Sequence, residues 1–153
     1  MATSHSVRPT VDRRVLLLLL DDQHRLMLCG GCCGDWTVPQ ALLGATTDFR
    51  IGAAQYLAER FRIEVPIFGT VYGVHETSES DCWEHDRKTV SRAFIVKISS
   101  EESDSLQLIA PSHARWGIDQ IKARHQEIHP EGMTLLVSGY VEGWLPDGPV
   151  SFR

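Results

Sequence analysis

The chain has 153 residues, a formal net charge of −5, 42% hydrophobic and 23% charged residues. That length suits one domain with a real core, and the balance is that of a soluble globular protein. The acidic net charge and scattered basic residues argue against a nucleic-acid partner, which would need a clustered basic surface.

Residues 1–12 read as a flexible tail and 13–153 as a single domain. Arg8, Arg13 and Arg14 precede the apolar run Val15–Leu20, superficially like a signal peptide. The run has only six residues and ends in Asp21-Asp22, too short for a signal core or a membrane span. A strand buried on both faces explains it better. No targeting segment is read, so a cytoplasmic location without membrane association is expected.

Along the chain, Val15–Leu20, Asp21–His24 and Arg25–Cys29 read as strand, turn and strand. Helical periodicity follows over Phe49–Phe61, where Ile51, Ala54, Leu57, Ala58 and Phe61 make the expected buried stripe. Thr46, Thr47 and Asp48 are its candidate N-caps. Strand-like runs cover Ile67–Val74 and Val90–Ile98, with a shorter one at Leu106–Ile109. Between the first two, polar Glu76–Lys88 reads as a long surface loop, of the kind that often carries function. Further helices are expected over Ile118–Gln126 and Glu131–Trp144. The second has an apolar face of Met133, Leu136, Val137, Tyr140, Val141 and Trp144, against the helix-weakening Gly132, Gly139 and Gly143. Strands and helices mixed without strict alternation suit a sheet covered by helices.

The segment Trp36 to Ile63 holds Trp36-Thr37-Val38-Pro39, then Ala53-Ala54, Leu57, Glu59 and Ile63, and with these it resembles the signature box of the Nudix hydrolases, with most of its carboxylates replaced. The family pattern is Gly, five residues, Glu, seven residues, then Arg-Glu-apolar-any-Glu-Glu-any-Gly-apolar, led by a Trp-x-x-Pro-Gly-Gly turn. Trp36-Thr37-Val38-Pro39 matches the turn, but Gln40-Ala41 stands for the two glycines. Ala53-Ala54 matches an alanine pair often found before the arginine. Thr47 falls at the first glutamate, Gln55 at the arginine and Tyr56 at the next glutamate. Leu57, Glu59 and Ile63 obey the pattern, Arg60 replaces the last glutamate and Arg62 the glycine. The strands before the box, Val90–Ile98 after it, and Trp116–Ile121 as the start of a closing helix extend the likeness over residues 13 to 145. The resemblance implies an α/β fold, a Nudix-like α/β/α sandwich with a mixed β-sheet.

Nudix enzymes cleave diphosphates with water activated by magnesium, held by carboxylates clustered on one helix. Positions 56, 59 and 60 share one arc of that helix, and here they are Tyr56, Glu59 and Arg60. A lone carboxylate beside a guanidinium is a poor magnesium site, because Arg60 cannot shed its charge to relieve the repulsion. Ordinary magnesium-dependent pyrophosphohydrolysis is therefore not expected. The resemblance implies instead a diverged enzyme acting on a small anionic, phosphate-bearing or similar metabolite. Glu59 and Tyr56 would then carry the chemistry, with Arg60, Gln55, Trp36 and His85 binding substrate. The alternative is a non-catalytic Nudix-fold module that binds a ligand or joins a complex. A homodimer stays open in either case.

Two other constellations compete. Cys29, Cys32, Cys82 and His85 have zinc-ligand types and spacings, with reduced cytoplasmic thiols as the plainer alternative. Cys32 or Cys33 could be a thiolate nucleophile activated by His75, His85 or His113, though nothing in the spacing brings them together. The acids Glu76, Glu79, Asp81, Glu84 and Asp86 could supply a base or a metal ligand, with a solvated acidic loop as the plainer alternative.

Overall fold

The computed structural model describes residues 10–30, 35–80, 86–110 and 112–152. Its centre is the strand built from the leucine run, β1 (Thr10–Leu20). Alternate side chains of a strand point to opposite faces, and both faces of β1 are buried. Leu16, Leu18 and Leu20 enter one apolar cluster, while Val15, Leu17 and Leu19 enter the other. The run is continuous because neither face meets water. Since β1 begins at Thr10, its first three residues fall inside the segment read as a tail.

β2 (Leu26–Gly30), β3 (Trp36–Thr37) and β4 (Gln40–Leu43) follow, then α1 (Phe49–Phe61). β5 (Ile67–Ser80) and β6 (Asp86–Lys97) lead to α2 (Ser100–Ile109), β7 (His113–Trp116) and α3 (Ile118–Ala123). A 3-10 turn at His125–Glu127, α4 (Met133–Glu142) and β8 (Gly148–Ser151) complete the described chain. Among the described residues, eight strands form one mixed sheet in the order β3-β2-β1-β6-β5-β8, with β4 paired to β1 and β7 to β2. β1 runs parallel to β6 over its whole length, from Thr10 opposite Arg87 to Leu20 opposite Lys97.

Helices cover both faces. α1 and α2 contribute Ala53, Leu57 and Leu106 to the cluster on one side. On the other, α3 and α4 contribute Ile121, Met133, Leu136 and Val137. The expected α/β/α sandwich is thus the fold observed. Among the described residues, no helix is long and apolar enough to cross a membrane.

The structure corrects several local expectations. Leu106–Ile109 is the end of a helix, not a strand. Ser99 caps α2 through the Glu102 amide, and the Glu102 side chain accepts from the Ser99 amide, a reciprocal box that nucleates the helix. The polar stretch 76–88 is not a loop over most of its length, because β5 and β6 continue as an antiparallel ribbon out to Ser80 opposite Asp86. An antiparallel ribbon satisfies its backbone by mutual pairing, so it needs no hydrophobic alternation to persist. The stripe assigned to α1 is rotated. Gly52, Ala53 and Leu57 are buried, while Ile51 is 57% exposed. Gly52 sets this rotation, since a Cβ there would lie 2.5 Å from Leu43 Cδ2. The expected helix 131–144 is shorter, with Gly143 in left-handed conformation as its C-cap. Trp144 lies beyond that cap and is 56% exposed. The helix expected over 118–126 ends at Ala123.

The C-terminal strand is seated by a second glycine. Phe152 fills the space above Gly73, where a Cβ would come within 2.6 Å of its ring and 2.8 Å of Leu136. Gly73→Ala should therefore destabilise the fold by about 1–3 kcal/mol through overpacking. A urea-midpoint comparison checks this, and an unchanged midpoint would show that Phe152 moves aside freely.

Candidate functional site

A cleft of about 740 Å³ opens between the C-terminal half of α1, the end of α2 and the strands β2, β3, β4 and β7. α1 is placed there by both of its ends. Asp48 caps the N-terminus by accepting from the Ile51 amide at 3.0 Å. At the other end Arg62 adopts φ 57°, ψ 29°, and its amide closes on the Leu57 carbonyl. This left-handed cap is the conformation for which glycine is the usual residue. Here the left-handed turn carries the side chain of an arginine.

One helical turn apart, Tyr56, Glu59 and Arg60 all line the cleft, joined by Phe61 and Arg62. Tyr56 is half-buried and its ring meets Phe61 edge-on at 5.8 Å. Glu59, Arg60 and Arg62 are exposed, and among the described residues none of their side chains forms a hydrogen bond or ion pair. Across the cleft lie Val38, Pro39, Leu106, Ile109 and Ala110, with Thr37, Gln40, Cys29 and His113 between. Gln40 donates to Thr37 Oγ1 at 2.6 Å, and Thr37 donates to the His129 carbonyl at 2.8 Å. Gln40 thus braces the floor through Thr37.

Glu59 is the only carboxylate among the described lining residues, set against two guanidinia. The C-terminal end of α1 adds roughly half a negative charge, which the two arginines outweigh. Magnesium requires several hard oxygen donors in octahedral array. One carboxylate and a phenol flanked by Arg60 and Arg62 do not fit it. No three His, Cys, Asp or Glu side chains converge as a metal site among the described residues.

The remaining sequence candidates are distributed differently. Gln55 is exposed on α1 and does not line the cleft. Trp36 packs its ring at 5.2 Å from Trp116, beside the buried cluster, which is the anchoring role open to it. His85, Cys32, Cys33 and Cys82 lie outside the described residues, as do Asp81 and Glu84. Of the zinc set, only Cys29 is described. It is opposite His113 and Thr37 in the sheet register, and burial pushes its thiol up to about 11. At neutral pH it is a protonated lining group, not a thiolate. His75 is engaged elsewhere, stacked on Phe152 with Nδ1 at the Phe152 carbonyl.

Sequence reasoning did not assign Arg62 or the apolar wall to the site. Arg62 was visible only as a departure from the family glycine. Leu106 and Ile109 reach the cleft because α2 is a helix, which the short-strand reading hid.

No protein-family model matches the sequence, and no curated protein matches it. Solved structures do. A mutT/nudix family protein from Listeria innocua matches with a TM-score of 0.61 at 10% identity, over 89% of this chain and 95% of that one. The MutT protein from Bacillus halodurans matches at 0.59 and 11% identity, over 92% and 86%. The Ap4A hydrolase of C. elegans matches at 0.58 and 13% identity, over 89% and 100%. At such identities the likeness concerns architecture, and it agrees with the order of elements read around Trp36–Ile63. The chain has the Nudix fold.

Proposed function

We propose that this protein is a diverged Nudix-fold enzyme acting on a small phosphate-bearing metabolite without magnesium–carboxylate chemistry. The observation that carries the reading is the convergence of Tyr56, Glu59 and Arg60 on one cleft, with the two charged side chains unpaired among the described residues. Arg60 holds the anionic group, since its planar fork of donors matches phosphate oxygens. Glu59 accepts the proton released in the reaction, and Tyr56 donates a hydrogen bond to the bound group. Gln55 and Trp36 are given no contact with the ligand.

A specific observation favours a second reading, a ligand-binding module without turnover. Glu59 is exposed, and among the described residues nothing holds its carboxylate in one orientation, whereas a catalytic base must be positioned. A hydrolysis panel of nucleoside diphosphate derivatives and simple phosphate esters separates the two, run with magnesium, with manganese and with chelator. Turnover that survives chelation and falls at least about tenfold in Arg60→Ala supports the enzyme. Turnover that strictly requires magnesium and persists in that variant would overturn the proposal. Binding without turnover would move the assignment to the module.

A further inference from the structure

Arg62 is one of two non-glycine residues with positive φ among the described residues, the other being His24. His24 lies in the tight β1–β2 turn, where its amide donates to the Asp21 carbonyl at 2.9 Å. At Arg62 the same strain is carried by an exposed side chain that lines the cleft two residues from Arg60. Glycine would adopt this cap without strain, so an arginine here costs stability that its local contacts do not return.

The cleft is also divided. Its charge lies on the α1 wall, at Glu59, Arg60 and Arg62. Opposite are the aliphatic groups Val38, Pro39, Leu106, Ile109 and Ala110. Val38, Pro39 and Leu106 are buried, so the apolar surface open to a ligand is that of Ile109, 70% exposed in the last turn of α2, and half-buried Ala110. Among the described residues, aromatic stacking is poorly provided for. Tyr56 and Phe61 are turned edge-on to each other at 80°, and Trp36 is occupied by Trp116.

We infer that Arg60 and Arg62 form a two-armed clamp for the anionic head of an amphiphilic ligand, whose compact aliphatic body lies against Ile109 and Ala110. The inference rests on the anion-binding reading of the cleft and adds a ligand class and a residue to it. A phosphate monoester with a short alkyl chain fits both walls, whereas a nucleotide would find no stacking platform for its base among the described residues.

Calorimetric titration with inorganic phosphate, hexyl phosphate and AMP tests this on the unmodified protein, Arg62→Gly and Ile109→Ser. Hexyl phosphate should bind at least about tenfold tighter than inorganic phosphate, and tighter than AMP. Ile109→Ser, at an exposed position, should remove most of that margin while leaving the affinity for inorganic phosphate unchanged. Arg62→Gly should weaken all three probes about tenfold and raise the melting temperature by about 2–4 °C. A variant that gains stability with unchanged affinities would reduce Arg62 to a strained cap and overturn the clamp. Equal affinity for inorganic and hexyl phosphate, or tighter binding of AMP, would overturn the amphiphilic ligand while the anion site stands. If no probe binds, the anion-binding reading of the cleft falls with it.

Discussion

Glu59→Gln is expected to lower turnover by about 10²–10⁴-fold, the range contributed by a positioned general base. The substitution keeps the size of the side chain and removes only its charge and proton affinity. Glu59 is exposed on α1, so the fold should be unaffected and the melting temperature unchanged within error. Ligand affinity should hold or improve. The cleft would lose its only described carboxylate while keeping Arg60 and Arg62, and an anion would meet less repulsion on the order of 1 kcal/mol at surface-like screening. A fall in kcat with a constant or lower KM is therefore the signature of the proposed role. A raised KM at constant kcat would show that Glu59 binds the ligand and does no proton transfer.

The second large effect is on stability. Asp21→Ala should cost about 3 kcal/mol, because it strips a buried hydrogen-bonded carboxylate from the turn that joins β1 to β2. Asp21 is only 3% exposed. Its carboxylate accepts from the Gln23 amide at 2.9 Å, the Arg25 amide at 3.0 Å, Arg25 Nε at 2.8 Å and Ser103 Oγ at 3.0 Å. The last bond ties the turn to α2, and Arg115 Nη1 reaches the same serine at 3.3 Å. For a chain of this length, such a loss corresponds to roughly 6–12 °C in melting temperature.

The same residue sets a pH dependence. Burial acts to raise the Asp21 carboxyl, but the bonds from Arg25, Ser103 and Gln23 outweigh it and hold the group below its ordinary value of 3.8. A carboxyl depressed in the folded state stabilises fully above its unfolded value and loses that contribution as pH falls through the folded one. The stability gap between the unmodified protein and Asp21→Asn should be widest at neutral pH and narrow below about pH 4. Urea midpoints measured from pH 3 to 7 check this, and a gap independent of pH would show that the carboxylate's charge is irrelevant to the turn.

Legibility in the sequence followed how local the physics was. The leucine run announced a doubly buried strand because its length and its acidic end excluded other uses. α1 was read with its observed bounds, since its cap, periodicity and box spacing coincide on Phe49–Phe61. Which of its faces is buried was not legible. The rotation follows from the close approach of Gly52 to Leu43, a contact between elements. The helix at Ser100–Ile109 was missed although its capping box was present as Ser99 and Glu102; the short apolar end Leu106–Ile109 suits a strand as well as a helix. The β5–β6 ribbon was hidden for the opposite reason, because its outer part, residues 76–80 and 86–88, holds no apolar residue and so no apolar period to read.

The site divides along the same line. By itself the sequence determined the Nudix-like order of elements, the loss of the clustered carboxylates, and the placing of Tyr56, Glu59 and Arg60 on one arc of one helix. Each of these depends on spacing along a single chain segment. Only the tertiary structure decided that α2 brings Leu106 and Ile109 opposite that arc, that Trp36 turns to Trp116, and that Arg62 holds a left-handed cap at the cleft. Those outcomes depend on packing between elements distant in sequence, where burial and close contact choose among arrangements that local patterns leave equivalent.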